Sequence, residues 1–175
     1  CHTTRMPAVD SAKGTGPSDE ELYMRWTELG AFTPVMRTHE GADKEGNWSW
    51  EKSPATTAHF RRFALVHCAL RPLFIALSDE AQQTSVPILR HMMLEFPDDP
   101  QTYSLSDQYM IGATFLVAPV LEQGATTRSV YFPAGTWYNV WSGAAIAGGA
   151  RITADAPMGY PPVYSLGVDR PELRQ

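Results

Sequence analysis

The stretch Phe32-Thr33-Pro34-Val35-Met36-Arg37-Thr38-His39-Glu40-Gly41, with Asn47-Trp48 close behind, decides how this chain is read. A short apolar run ends abruptly in Arg-Thr-His-Glu and becomes a polar loop. A parallel barrel strand hands functional groups in this way to a site at its C-terminal end. Thr33 to Arg37 is therefore expected to form a short buried strand, and alternation along it would put Arg37 and His39 on one face. Upstream, Asp19, Glu20 and Glu21 stand where a helix N-terminus favours negative charge. Leu22, Trp26 and Leu29 follow at helical spacing, and Gly30 is expected to stop the helix. Downstream, Ser53 and Pro54 suit an N-cap and the first helical position. Phe60, Phe63, His67, Leu70, Phe74 and Leu77 then make one stripe that would cover the outside of a barrel, with a kink expected at Pro72.

After Gln83 the texture changes. Short β-prone runs at Val86–Met93, Thr114–Val120, Arg128–Phe132, Thr136–Trp141, Arg151–Ala154 and Pro162–Leu166 alternate with turn residues, as in an antiparallel sandwich. The expected fold is thus α/β plus all-β: the C-terminal part of a (β/α)8 TIM barrel over residues 1–83, then an antiparallel β-sandwich over 84–175. The sandwich is expected to close a core of its own, as barrel strands cannot do without neighbours. Residues 1–18 read as loop, and 169–175 as a chain end.

Composition narrows the function classes. With 43% hydrophobic and 19% charged residues the chain falls near globular norms, and a net charge of −5 offers no basic stripe for nucleic acid. The longest apolar stretch, Phe63 to Leu77, is interrupted by His67, Arg71 and Pro72 and falls short of the ~20 residues of a membrane span. Cys1 and Cys68 make no disulfide framework, which favours a reducing compartment and a cytoplasmic location. An eight-stranded barrel needs about 250 residues. With 175 residues, Cys at position 1 and no leader-like stretch, the expectation is a fragment of a longer protein.

The wording of residues 32–41 resembles glycoside hydrolase family 31, whose last barrel strand ends in an Arg-x-His motif, and with Asn47-Trp48 it is most similar to the sulfoquinovosidase branch. Leu94-Glu95-Phe96-Pro97-Asp98-Asp99, Gln108-Tyr109-Met110-Ile111-Gly112 and Leu116-Val117-Ala118-Pro119-Val120 continue the resemblance in order and spacing. It implies a retaining α-glycosidase acting on a carbohydrate. Two carboxyl groups would flank the scissile bond, one protonating the leaving oxygen and the other attacking the anomeric carbon. Neither of the family's catalytic Asp motifs appears here, so no catalytic residue is assigned. The family's Ser-Asp-Ile-Gly-Gly segment is also absent. Its place reads Cys1-His2-Thr3-Thr4-Arg5-Met6-Pro7-Ala8-Val9-Asp10, and no residue present is assigned to a sulfonate.

What the resemblance leaves to this chain is sugar binding. It implies that His39 hydrogen-bonds sugar hydroxyls, a role suited to an imidazole that offers one donor and one acceptor; the plainer reading is a His capping a strand end. Arg37, of the same motif, would hold carboxylates beside the sugar or support the strand. Glu40 would anchor the loop or meet the substrate rim. His39-Glu40 is no zinc motif, because the second His required at the fifth position is Asp43. Trp48 would stack on the sugar or pin the loop, and Trp50 is an equal but less specific candidate. No metal and no cofactor are expected. Asp98 and Asp99 read as turn chemistry, His59, His67 and His91 as packing or surface residues, and Tyr131, Trp137, Tyr138 and Trp141 as sandwich core.

The rivals are an α-glucosidase or α-xylosidase of the same family and a non-catalytic carbohydrate-binding or structural sandwich. An exposed, coplanar Trp137 and Trp141 would favour the latter. Oligomeric state is not legible. Because both catalytic carboxyl groups are missing, the isolated chain is expected to show no hydrolysis of any aryl α-glycoside. Chromogenic release that co-purifies with the chain and disappears in His39→Ala would refute this.

Overall fold

Asp19 begins the first helix by accepting a hydrogen bond from the Leu22 amide at 2.8 Å. The computed structural model describes residues 18–38 and 45–174. Helix α1 (Glu20–Ala31) passes through Gly30 and ends one residue later. Helix α2 (Pro54–Thr84) starts with Ser53 as N-cap, whose Oγ accepts from the Thr56 amide at 3.0 Å, and Pro54 at its first position. It runs uninterrupted through Pro72 for 31 residues. Its buried side is Thr56, His59, Phe63, Val66, Leu70, Phe74 and Leu77, the expected stripe with Val66 added; Phe60 and His67 are half-buried.

The contacts between these helices fix their relative direction. Ser53 and Thr56 donate to Glu20, His59 bonds the Met24 carbonyl and His67 the Ala31 carbonyl. Both sets of numbers rise together, so α1 and α2 are parallel. The chain between them must therefore travel back along α1, about 18 Å at 1.5 Å per residue. That is the course of a strand between two helices of a βα-barrel. Residues 33–38, however, form no ladder, which corrects the expected strand at Thr33–Arg37. A parallel strand exists only by pairing with neighbours, and no described residue pairs with this one.

Beyond α2 come β1 (Leu89–Arg90), α3 (Met92–Glu95), β2 (Tyr109–Ile111), β3 (Phe115–Val117), β4 (Thr127–Phe132), β5 (Thr136–Asn139), β6 (Ala145–Ala147), β7 (Ala150–Asp155) and β8 (Val163–Leu166). They form a six-stranded sheet in the order β1-β2-β3-β8-β5-β6 and a two-stranded ribbon of β4 with β7, all antiparallel. The expected run Val86–Met93 shrinks to two residues because His91 caps α3, its Nδ1 accepting from Met93 N at 3.2 Å. Strands β2 and β6, three residues each, are additions to the expected set.

Alternation divides the six-stranded sheet between two cores. Ile111, Phe115, Val117 and Val163 face α1 and α2, packing with Phe32, Phe63, Val66, Leu70, Phe74 and Leu77. Met110, Leu116 and Tyr164 face the ribbon, packing with Val130, Phe132 and Trp137. The sandwich thus closes one core of its own between the main sheet and the ribbon, and shares a second with the helices that cover the sheet's other face. Gly112 shows how close the layers come. It turns β2 into β3 at φ 52°, where a Cβ would lie 2.6 Å from Leu77 Cδ2.

Polar contacts tie the same layers together. Glu28, 2% exposed, accepts from Arg25 Nη1 at 3.0 Å and from the Gly159 amide at 2.6 Å. Arg25 donates in turn to the Ala125 and Ala156 carbonyls, at 3.0 and 2.9 Å. Arg90 binds Glu80 of α2 at 2.7 Å and Glu95 of α3 at 2.6 Å. Glu28→Ala would leave the Arg25 guanidinium buried without its carboxylate. The expected cost is about 3–5 kcal/mol of unfolding free energy, against less than about 0.5 kcal/mol for exposed Glu51→Ala, measured by urea titration. Equal effects would show that the buried pair is not a structural joint.

Candidate functional site

The segment after α1 bends at Thr33 and Pro34 and then runs to Thr38 without helix or strand. Met36 packs against the helix–sheet core, while Val35, 69% exposed, and Arg37 point away from it. Arg37 thus lies on the outward side of a segment held from behind. His39 and Glu40 lie outside the described residues.

The base of this segment is fixed at the end of α1. Thr33 donates from its backbone and its hydroxyl to the Gly30 carbonyl, at 3.2 and 2.8 Å. His67 Nδ1 bonds the Ala31 carbonyl at 3.1 Å, so that nitrogen carries the hydrogen. The Tyr109 hydroxyl donates to the Phe32 carbonyl at 3.2 Å. Burial pushes the Tyr109 phenol well above its ordinary value and keeps its proton on. The fully buried Phe32 ring meets Trp141 edge-on, with centroids 6.0 Å apart. Trp141 donates to the Pro161 carbonyl at 2.6 Å and lies under the Arg62 guanidinium, 5.0 Å from its centroid.

At the other end of α1 the returning loop is clasped. The Trp48 amide reaches both the carbonyl and the hydroxyl of Ser18 at 3.0 Å, and Asn47 Oδ1 accepts from Ser18 N at 3.0 Å. The Trp48 indole N–H donates to Thr56 Oγ1 at 3.0 Å, and Thr56 passes a hydrogen bond to Glu20, also at 3.0 Å. Trp48 is therefore anchored to both helix N-termini. Trp50 is exposed and stacks at 6.4 Å on Phe60.

The other candidates have structural work. Asp99 caps the turn Pro100–Thr102 and accepts from the Tyr131 hydroxyl at 2.6 Å. Trp137 is fully buried, its indole N–H donating to the Pro133 carbonyl at 2.8 Å, and Trp141 is half-buried, so the pair forms no exposed platform. A cavity of about 380 Å³ opens between residues 89–91, 105–109, 119 and 121, but its Arg90 and Gln108 are engaged elsewhere. Among the described residues no group of three His, Cys, Asp or Glu could hold a metal, and no helix is long and apolar enough to cross a membrane.

Sequence reasoning missed Glu28 and Tyr109, while His59 takes the packing alternative of its two expected places. For Glu28 a signal existed: Met24, Glu28 and Ala31 share one helical face, and a lone acid between apolar neighbours needs a partner.

Against this geometry, comparison with known proteins gives the class. Residues 11–77 match the TIM-barrel domain of glycosyl hydrolases family 31, and residues 85–167 match the C-terminal domain of the same family. The chain belongs to glycoside hydrolase family 31. The sulfoquinovosidase of Agrobacterium fabrum is 46% identical over 145 residues, 82% of this chain, and that of Escherichia coli 39% identical over 145 residues, 83% of it. A solved sulfoquinovosidase from E. rectale in complex with an aza-sugar inhibitor superposes with a TM-score of 0.87 over 93% of this chain at 29% identity, the chain covering 25% of that structure. An α-xylosidase and an α-glucosidase are also among the similar proteins. The chain spans about a fifth of the length of the two sulfoquinovosidases, 22% and 21%.

His59 gives this region a pH signature. Its Nε2 lies 3.0 Å from the Met24 carbonyl and 3.8 Å from Glu28. Burial lowers its pKa to about 4, the Met24 bond opposing and Arg62 and Arg25 reinforcing. A depressed folded value means stability that is present above the unfolded value of about 6.5 and lost as pH falls through about 4. Burial pushes the Glu28 carboxyl upward, the Gly159 amide and Arg25 opposing. That shift acts in the opposite sense, so the His59 contribution is the difference between wild type and His59→Gln. Urea midpoints should fall more steeply for wild type between pH 6.5 and 4. Parallel profiles would refute a neutral, buried His59.

Proposed function

We propose that this chain is the C-terminal part of a retaining α-glycosidase of the sulfoquinovosidase type. In this reading it supplies the sugar-binding end of the last barrel strand and the sandwich behind it, while both catalytic Asp residues lie outside it. The observation that carries the reading is the placement of the Arg37-x-His39 motif. Of that motif Arg37 lies among the described residues, exposed on the segment that leaves α1 toward the start of the parallel helix α2, which supports the reading. The 46% identity to a sulfoquinovosidase supports the substrate class.

The chemistry assigned to each residue follows its type. His39 exchanges hydrogen bonds with sugar hydroxyls, and such contacts tighten as the ring flattens toward an oxocarbenium-like state, which lowers the barrier. Arg37, always charged, holds carboxylates beside the sugar. Glu40 meets the rim, and the anchored Trp48 walls the loop side. The two missing carboxyl groups would stand about 5–5.5 Å apart, as retention requires. An α-glucosidase or α-xylosidase is the alternative within the family. The buried Trp137 removes the aromatic platform on which a separate binding module would rest.

The experiment is a chimera in which residues 20–174 replace the matching part of the Agrobacterium fabrum sulfoquinovosidase. Hydrolysis of an aryl α-sulfoquinovoside in preference to the α-glucoside and α-xyloside is expected. In that background His39→Ala should lower kcat/KM by roughly 10- to 200-fold, mainly through kcat, from the loss of about 1.5–3 kcal/mol of hydrogen bonding. His91→Ala should stay near the parent. A folded His39→Ala chimera whose kcat stays within about twofold would end the sugar-ligand role. Preference for the glucoside or xyloside would favour the alternative.

A further inference from the structure

A helix end leaves its last carbonyls without intrahelical partners, and something must satisfy them. At the end of α1 the supply changes along the chain. Leu29 and Gly30 carbonyls are met locally, by the amides of Phe32 and Thr33 at 3.0 and 3.2 Å. The next two are met by side chains from elsewhere: Ala31 by His67 of α2, and Phe32 by Tyr109 of β2. The orientation of the Phe32 carbonyl fixes the peptide plane from which residues 33–38 depart. Phe32 itself cannot turn to compensate, because its ring is wholly buried against Trp141 and Phe63 belongs to the same core. Four residues separate Phe32 from Arg37, too few for an error in departure angle to be absorbed, since Met36 is also packed against the core.

We propose that Tyr109, a residue of the sandwich, is a positioning residue for sugar binding, aiming the segment that carries Arg37 and leads to His39 through its bond to the Phe32 carbonyl. The proposal rests on the sugar-site reading given under Proposed function for its functional half. Its geometric half stands on this chain alone. Tyr109 contacts no sugar. Its hydroxyl acts at the start of the segment, and the effect is read at the other end. His67 completes the collar from the opposite side.

Tyr109→Phe removes the hydroxyl and keeps the ring. Amide hydrogen exchange on this chain, residues 1–175, should show the hydrogen-bonded amides of Phe32 and Thr33 exchanging about five- to tenfold faster, with residues 20–29 unchanged. In the chimera described above, Tyr109→Phe should lower kcat/KM by about five- to tenfold, and should lower it no further once His39→Ala is present. That lack of additivity separates positioning from general destabilisation. Unchanged exchange, faster exchange along all of α1, or additive effects in the double variant would each overturn the proposal. A silent His39→Ala single variant would instead overturn the sugar-site reading, while faster exchange confined to Phe32 and Thr33 would still support the collar.

Discussion

The six-stranded sheet is apolar on both faces, and the rest of the structure follows from that constraint. Its central strands β2, β3 and β8 send alternate residues to opposite sides, and almost all of them are buried. A sheet of this kind needs two covering layers. The β4–β7 ribbon provides one and the helices the other. Each fully buried Phe, Val or Leu of α2 contributes about 1.5–3 kcal/mol, and a domain's net stability is only about 5–15 kcal/mol. Loss of the helix layer would expose the Ile111, Phe115, Val117 and Val163 face of the sheet to water. The two parts that family descriptions match as separate domains thus share one apolar layer in this chain.

Apolar layers attract without direction, so they could slide. Three polar joints prevent this, each placed where one layer meets another. Glu28 and Arg25 bind α1 to the backbone at Ala125, Ala156 and Gly159. Arg90 ties the far end of α2 to α3. Gln108 pairs its amide with both backbone groups of Tyr131, at 2.7 and 2.9 Å, joining the main sheet to the ribbon. Buried ions of this sort give little net stability over an apolar substitute but are costly to break singly, which suits a device that sets register.

Much of this was legible because the signals were local. The caps at Asp19 and Ser53, the stripe from Phe63 to Leu77 and the runs that became β4, β5, β7 and β8 can be read from neighbours in sequence. Strand β2 was not legible: three residues buried on both faces carry no alternation in polarity. The strand expected at Thr33–Arg37 failed for a different reason, since pairing is a property of neighbours and not of the segment. The stretch Gln108-Tyr109-Met110-Ile111-Gly112 shows what family wording conceals. Gln108 holds the ribbon, Tyr109 the end of α1, Met110 and Ile111 opposite cores, and Gly112 a turn pressed against Leu77. In the candidate site the residue types Arg37 and Trp48 could be picked out from their motif. The groups that anchor this segment and loop include Thr56, 8 residues from Trp48, and Tyr109, 77 residues from Phe32, and no local pattern announces them.

These anchors sit at opposite ends of the returning chain and do different things. At its start, the collar of His67, Tyr109 and Trp141 fixes direction through buried groups drawn from α2 and the sandwich. At its finish, Asn47 and Trp48 clasp Ser18 and Thr56 at the helix N-termini, where the surroundings are more open. Rigid support at the base of a strand and variable loops beyond its tip is the division by which barrel enzymes keep one frame while changing substrates. The sandwich reaches this segment at its base, through Tyr109 and Trp141. The base is thus held by groups drawn from two other layers, whereas the finish is held by groups at the N-termini of the helices themselves.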